Sequence, residues 1–257
     1  MMIATQSRFL LEEASAQSVQ LQEFEFPEFP NRPTVPALDG NDVHVWFAPT
    51  QGHSPHTVIY KTLLSSDELD RMARFRFEHD RQAFTFAHGV LRNLLGAYLH
   101  VPPMDLRFDY SKHGKPSVFL PAGTDIQFNL SHTAGAVLVG ICRNREIGVD
   151  IEKVRNDFEL MDIAARFFTL NERETLLCLP ESERPQAFFH CWTRKEAILK
   201  ARGDGLSFPL DHVEVSVTAT EAIVGIDTAL ETVPQRWRIL PLNVPAAYAA
   251  AVALSQR

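Results

Sequence analysis

The chain has 257 residues, 45% hydrophobic and 22% charged, the balance of a globular protein of one large domain or two small ones. Lys+Arg 25 against Asp+Glu 32 leaves a net charge of −7, which speaks against electrostatic binding of nucleic acid. The longest apolar stretches, Ala134–Cys142 and Val244–Leu254, fall short of the roughly 18 residues a membrane span needs. No basic segment and apolar core open the chain, and Cys142, Cys178 and Cys191 form neither a CxxC nor an even framework, so a reducing cytoplasmic location is expected.

The first 40 residues carry two basic and six acidic side chains, −4 of the total −7. Pro27, Pro30, Pro33 and Pro36 recur every three residues, which predicts an extended arm over residues 1–40. Its composition favours a solvated tail, with Phe24, Phe26 and Phe29 as alternative anchors onto the body. Asp42–Phe47 alternates as a strand, Ser65-Ser-Asp-Glu68 is a capping box that opens a helix, and Gln82-Ala-Phe84 begins a longer helix running to about Leu99. All three signals return 104 positions later, as Glu146–Ile151, Thr169-Leu-Asn-Glu172 and Gln186-Ala-Phe188.

Strand-like segments follow in each half: Leu106–Tyr110, Val118–Phe119 and Ala136–Cys142, then Val213–Val217, Trp237–Leu240 and Tyr248–Leu254. The expected fold class is α+β, with two similar α/β subdomains over 41–145 and 146–257. A pseudo-twofold axis is expected to relate them, with the active site at their interface. In this alignment Trp46 corresponds to Asp150 and Arg92 to Glu196, so acid lies in the second half and base in the first.

Asp150 and Glu152 are two apart on the apolar strand Ile147-Gly-Val149, so both carboxylates project from one face. Such a pair suits Mg²⁺, although an exposed strand end explains it equally well. Glu196 and Lys200 are i and i+4 on a helix. A surface ion pair is the plain explanation, but only six lysines occur in the chain and two of them, Lys195 and Lys200, flank this one glutamate. Gly203-Asp-Gly205 ends that helix. Lys112-His-Gly-Lys115-Pro116 is a turn with two cations. Ser131 and His132 are adjacent on a strand and point to opposite faces, which argues against a nucleophile–base pair and favours anion contacts. Arg71, Arg74, Arg76, Arg81 and Arg92 lie on the first-half helices, among acidic residues that offer a solvated face as an alternative.

In chain order, Gly114-Lys-Pro116, Phe128-Asn-Leu-Ser-His132, Ile147-Gly-Val-Asp-Ile-Glu152 and Trp192-Thr-Arg-Lys-Glu-Ala197 followed by Lys200-Ala-Arg-Gly-Asp-Gly-Leu206 form a set. It resembles the 4′-phosphopantetheinyl transferases of the larger, two-lobed, surfactin-synthetase-activating type, over roughly residues 42–255. The resemblance implies transfer of the phosphopantetheine arm from coenzyme A to a serine of an apo acyl or peptidyl carrier protein, with adenosine 3′,5′-bisphosphate released. It implies Mg²⁺, or Mn²⁺ in its place, on Asp150, Glu152 and Glu196, and Glu196 or Glu172 as the base, the latter competing with its capping-box role.

Lys200 would stabilise or protonate the leaving phosphate, and Lys195 would touch phosphate. Gly114, Lys115 and Pro116 would border the adenine, while Ser131, His132, Arg71 and Arg92, with Arg74 nearby, would reach the 3′-phosphate. A carrier would dock beside Gly203–Ser207, and a monomer suffices. Arg194 and the N-terminal arm depart from the pattern without touching the metal set. Two other readings share these residues: a CoA-binding module without turnover, and a Mg²⁺-dependent phosphohydrolase acting on CoA.

Overall fold

The computed structural model describes residues 19–24, 33–50, 54–156, 159–203, 205, 208–218, 224–226 and 237–256. Val19–Glu23 (β1) lies parallel to Val43–Pro49 (β2). Three helices follow, Ser54–Lys61 (α1), Ser66–Ala73 (α2) and Glu78–Leu99 (α3), then a 3₁₀ turn at Pro103–Asp105. Arg107–Tyr110 (β3) and Pro116–Leu120 (β4) form a hairpin, and Ile126–Thr133 (β5) and Ala136–Arg143 (β6) complete the first run.

The second run starts with Ile147–Lys153 (β7) and continues through Leu160–Phe167 (α4), Leu170–Cys178 (α5) and Arg184–Arg202 (α6) to a 3₁₀ turn at Leu210–His212. Val213–Val215 (β8) and Val224–Ile226 (β9) form a hairpin, then come Trp237–Pro241 (β10) and Tyr248–Ser255 (β11). From β2 onward the order strand, three helices, 3₁₀ turn, hairpin, two strands therefore occurs twice. The fold is mixed α+β. Among the described residues no helix is long and apolar enough to cross a membrane.

The first sheet has the order β1-β2-β6-β5 and the second β10-β11-β7. Strand alternation assigns each sheet two faces. Val43, Val45 and Phe47 of β2 pack with Leu138 of β6 against Ile147, Val149 and Ile151 of β7 and Val252 of β11, a buried apolar seam between the sheets. The opposite face of β2, with Trp46, packs on Val90, Leu91 and Leu94 of α3. The opposite face of β11 packs on Ala197, Ile198 and Ala201 of α6. On β7, Gly148 lies against α6: a Cβ there would lie 2.0 Å from the Ala197 carbonyl oxygen and 2.3 Å from the Ala201 amide nitrogen. The missing side chain lets α6 lie directly on β7, with Asp150 and Glu152 beside it.

Both capping boxes form with reciprocal bonds, Ser65 with Glu68 and Thr169 with Glu172. Several sequence expectations need correction. Each half has a third, short helix (α1, α4) that two-helix pattern reading passed over, because eight residues give barely two turns of periodicity. The long first-half helix begins at Glu78 rather than Gln82, with Glu78 and Asp80 in its first turn. The arm is no solvated tail over Val19–Phe24: β1 completes the sheet edge, and Phe24 is 2% exposed with its ring 6.5 Å from that of Trp46. Phe26 and Phe29 lie outside the described residues.

Candidate active site

Glu196, Leu199, Lys200 and Gly203 fall on one stripe of α6 and form one wall of a cleft of about 240 Å³. The facing wall is His113, Gly114, Lys115 and Pro116 of the β3–β4 turn, with Asn129 and Leu130 of β5. Gly114 has φ +85°, the left-handed geometry that this tight turn requires. Lys115 is fixed by two contacts of 2.5 Å, to Glu146 Oε2 and to the Ala201 carbonyl. It thereby ties the turn to the C-terminal end of α6, where a cation is favoured by the helix dipole.

Asp150, 3% exposed, accepts at Oδ1 from Ser131 Oγ at 2.9 Å and from Lys200 Nζ at 2.5 Å. Lys200 Nζ also donates to Ser131 Oγ at 2.8 Å. Glu152 accepts from Thr133 Oγ1 at 3.2 Å. Burial first, then the negative charges of Asp150 and Glu152, push the Glu196 carboxyl up to about 7 against the pull of Lys200. Burial and Asp150 likewise raise the Glu152 carboxyl.

Three carboxylates crowded on one ammonium are the donor set of a hard divalent cation, and Asp150 Oδ2 is buried without a hydrogen-bond partner. The residues therefore fit such an ion. Among the described residues no three His, Cys, Asp or Glu side chains already stand in ligating geometry, and Lys200 supplies the positive charge at Asp150.

A second hollow, about 420 Å³, shares Gly114 with the first and is lined by Asp67, Asp70, Arg71, Arg74 and Tyr110. Arg71 stacks there, 5.1 Å from the Tyr110 ring centroid and 5.7 Å from that of Phe84. His132 is exposed, on the opposite face of β5 from Ser131.

Of the expected site residues that line neither hollow, Asp150, Glu152 and Ser131 belong to the cluster around Lys200 and His132 is exposed, whereas Arg92, Lys195 and Glu172 are engaged elsewhere in the interior. Arg92, fully buried, donates to Glu68 Oε2 at 2.7 Å and to the carbonyls of Pro103 (2.7 Å) and Leu106 (3.2 Å). Lys195, also fully buried, pairs with Glu172 Oε2 at 2.7 Å and donates to the carbonyls of Leu210 (2.9 Å) and Val213. Glu172, 1% exposed, is further engaged by the amides of Thr169 and Val215, both at 2.8 Å. In this structure all three are engaged as internal braces: Lys195 and Glu172 have every charged atom on an internal partner, and Arg92 is ion-paired with Glu68 although its Nη2 makes no hydrogen bond. Arg194 is likewise buried and holds Ser216 and Thr218.

Sequence reasoning missed Asn129 and Thr133, which alternate with Ser131 along β5. The period-two polar pattern Asn129-x-Ser131-x-Thr133 was the available signal. Asp204, Leu206 and Ser207, in the expected docking segment, lie outside the described residues.

A family described as the 4′-phosphopantetheinyl transferase superfamily matches residues 146–253, and one described as 4′-phosphopantetheinyl transferase, N-terminal, matches residues 50–142. The chain is 38% identical over 229 residues to the 4′-phosphopantetheinyl transferase HetI of Nostoc sp. (strain PCC 7120), covering 88% of this chain and 92% of that protein. It is 30% identical over 156 residues to the 4′-phosphopantetheinyl transferase Sfp of Bacillus subtilis, covering 61% and 67% respectively. The second-half match spans β7 and α6, which carry Asp150, Glu152, Glu196 and Lys200, and with a relative aligned over nearly its full length the chain belongs to the 4′-phosphopantetheinyl transferase superfamily.

Proposed function

We propose that this chain is a transferase that moves the 4′-phosphopantetheine arm of coenzyme A onto a serine of an apo acyl or peptidyl carrier protein. The serine oxygen forms a bond to the phosphorus next to the pantetheine. The pyrophosphate P–O bond breaks, and its electron pair leaves with adenosine 3′,5′-bisphosphate. The observation that carries this reading is the Asp150–Ser131–Lys200 cluster, with Glu196 lining the cleft that Gly114–Pro116 faces.

Glu196, raised to about 7, is suited to take the serine proton, and Glu172 is not, being consumed by its brace. Lys200 stabilises or protonates the departing phosphate. Gly114, Lys115 and Pro116 border the adenine. The exposed His132, with Arg71 and Arg74 of the adjoining hollow, receives the 3′-phosphate. Asp150, Glu152 and Glu196 are the oxygen set for Mg²⁺, or Mn²⁺ in its place, an ion that neutralises pyrophosphate charge when bound.

The repeated element order and the apolar seam support two lobes, 41–145 and 146–257, related by a pseudo-twofold axis with the cleft on their junction and the arm of residues 1–40 added outside. One chain then contains the whole site, so we read it as a cytoplasmic monomer.

The test is the intact mass of an apo carrier incubated with the chain, CoA and Mg²⁺, beside EDTA and Glu196→Ala controls. A serine gaining one phosphopantetheine arm, lost in both controls, is the expected result. CoA bound without any carrier labelling would replace transfer with binding alone. CoA cleaved without labelling would replace it with hydrolysis.

A further inference from the structure

Strand β7 is an edge of its sheet, so one row of its backbone N–H groups has no strand to pair with. Those groups meet β5 side chains instead. The amide of Val149 donates to Asn129 Oδ1 at 2.9 Å, that of Ile151 to Ser131 Oγ at 3.4 Å, and that of Lys153 to Thr133 Oγ1 at 3.3 Å. Residues two apart on β5 thus serve residues two apart on β7, and the two sheets close through side chains rather than through a backbone ladder.

A hydroxyl has one proton and two lone pairs. Ser131 Oγ accepts from the Ile151 amide and from Lys200 Nζ, which leaves its proton for Asp150 Oδ1 at 2.9 Å. Thr133 Oγ1 accepts from the Lys153 amide and gives its proton to Glu152 Oε2 at 3.2 Å. With both lone pairs engaged, the Ser131 hydroxyl is not free to turn and accept from its carboxyl, and Thr133 keeps its donor role as long as Glu152 is ionised. Asn129, the third side chain of the row, closes the seam without a carboxylate contact, so pairing the sheets does not by itself require hydroxyls at 131 and 133.

We propose that Ser131 and Thr133 are positioning residues: held from behind by the β7 backbone, their hydroxyls fix one oxygen of Asp150 and one of Glu152 and so preset the two carboxylates for a divalent cation. This rests on the metal reading given above. Hydroxyls that orient ligating carboxylates have large effects on affinity because they remove the ordering cost of binding. Thr133 is the cleaner site to test, since Ser131 also serves Lys200.

The experiment is a Mn²⁺ titration followed by electron paramagnetic resonance, on the full chain without carrier, first without CoA and then with it. Thr133→Val is expected to weaken Mn²⁺ binding about 10–100-fold, and Thr133→Ser to restore it. Should Thr133→Val not fold, Thr133→Ala takes its place. Unchanged Mn²⁺ affinity in the hydroxyl-less variant overturns the positioning role and leaves the metal reading standing. Thr133→Ser binding as weakly as Thr133→Val also overturns it, since shape rather than the hydroxyl would then matter. A wild-type chain that takes up no Mn²⁺ either without or with CoA overturns the metal reading, and the positioning role with it.

Discussion

Replacing Lys195 by Met separates the brace from a phosphate contact. The ammonium is fully buried, 2.7 Å from Glu172 Oε2, and bridges α6 to the carbonyls on either side of the 210–212 turn. Met keeps the length and apolar stem but strands a buried carboxylate. Breaking a buried pair from one side costs about 3–5 kcal/mol. A chain of this size loses roughly 2–4 °C per kcal/mol, so the melting temperature should fall by roughly 10 °C. Adding Glu172→Gln removes the stranded charge, and the pair should show a coupling energy of about 2 kcal/mol in a double-mutant cycle. The assay is thermal unfolding of wild type, both single variants and the double variant, alongside carrier labelling at a temperature well below every transition. A Lys195→Met chain that melts with wild type while labelling collapses would refute the brace and return Lys195 to the phosphate.

Gly148→Ala forces a methyl to within 2.0 Å of the Ala197 carbonyl, so α6 must move off β7. Overpacking of this kind costs about 3 kcal/mol, and labelling should fall with it because Glu196 and Lys200 shift relative to Asp150; urea melts and kcat together check this. Two carboxyls should tilt the pH dependence of stability in opposite directions in the EDTA-treated chain. Glu68 is raised by burial but lowered more by His88, Arg92 and the Ser65 amide, to about 2 from 4.5, so it contributes about 3 kcal/mol above pH 4.5 that is lost as pH falls toward 2. Glu196 is raised, so its native state holds a proton that the unfolded chain releases, and stability falls by about 3 kcal/mol as pH rises from 4.5 through 7. Glu68→Gln should therefore be less stable than wild type at neutral pH and Glu196→Gln more stable at pH 8, as read from denaturant melts across pH.

Much of the site was legible because its signals are local. Strand parity alone puts Asp150 and Glu152 on one face, and helical spacing alone does the same for Glu196 and Lys200. The capping boxes follow from four-residue patterns. Which cations reach the cleft was not legible. Arg92 and Lys195 end on carbonyls 11 to 18 residues further along the chain, and only the tertiary path of the 3₁₀ turns decides that. Glu172 carried two readings in the sequence, and its burial against Lys195 supports the structural one. The close approach at Gly148 was likewise invisible, since a glycine in a strand has many explanations.

The proposed duplication also accounts for why only one lobe carries the acidic site. Both lobes keep the same brace, a capping-box glutamate holding a cation that reaches the carbonyls of the 3₁₀ turn: Glu68 with Arg92, and Glu172 with Lys195. The glutamates correspond, but the cations do not. Arg92 stands at the position of Glu196, whereas Lys195 stands at that of Leu91. Moving the cation one residue along the helix turns it by about 100°, so the second lobe keeps its brace and releases position 196 to carry a carboxylate to the cleft. The facing strand changes in step. Where β7 has Gly148 and Asp150, β2 has His44 and Trp46, both bonded to the Tyr98 hydroxyl at 2.7 and 3.0 Å. Where α6 extends Lys200, α3 has Gly96, at which a Cβ would lie 2.9 Å from the Val101 carbonyl. The first lobe thus fills with aromatic rings the volume that the second lobe leaves to charge, and its contribution to the cleft comes instead from the β3–β4 turn and β5.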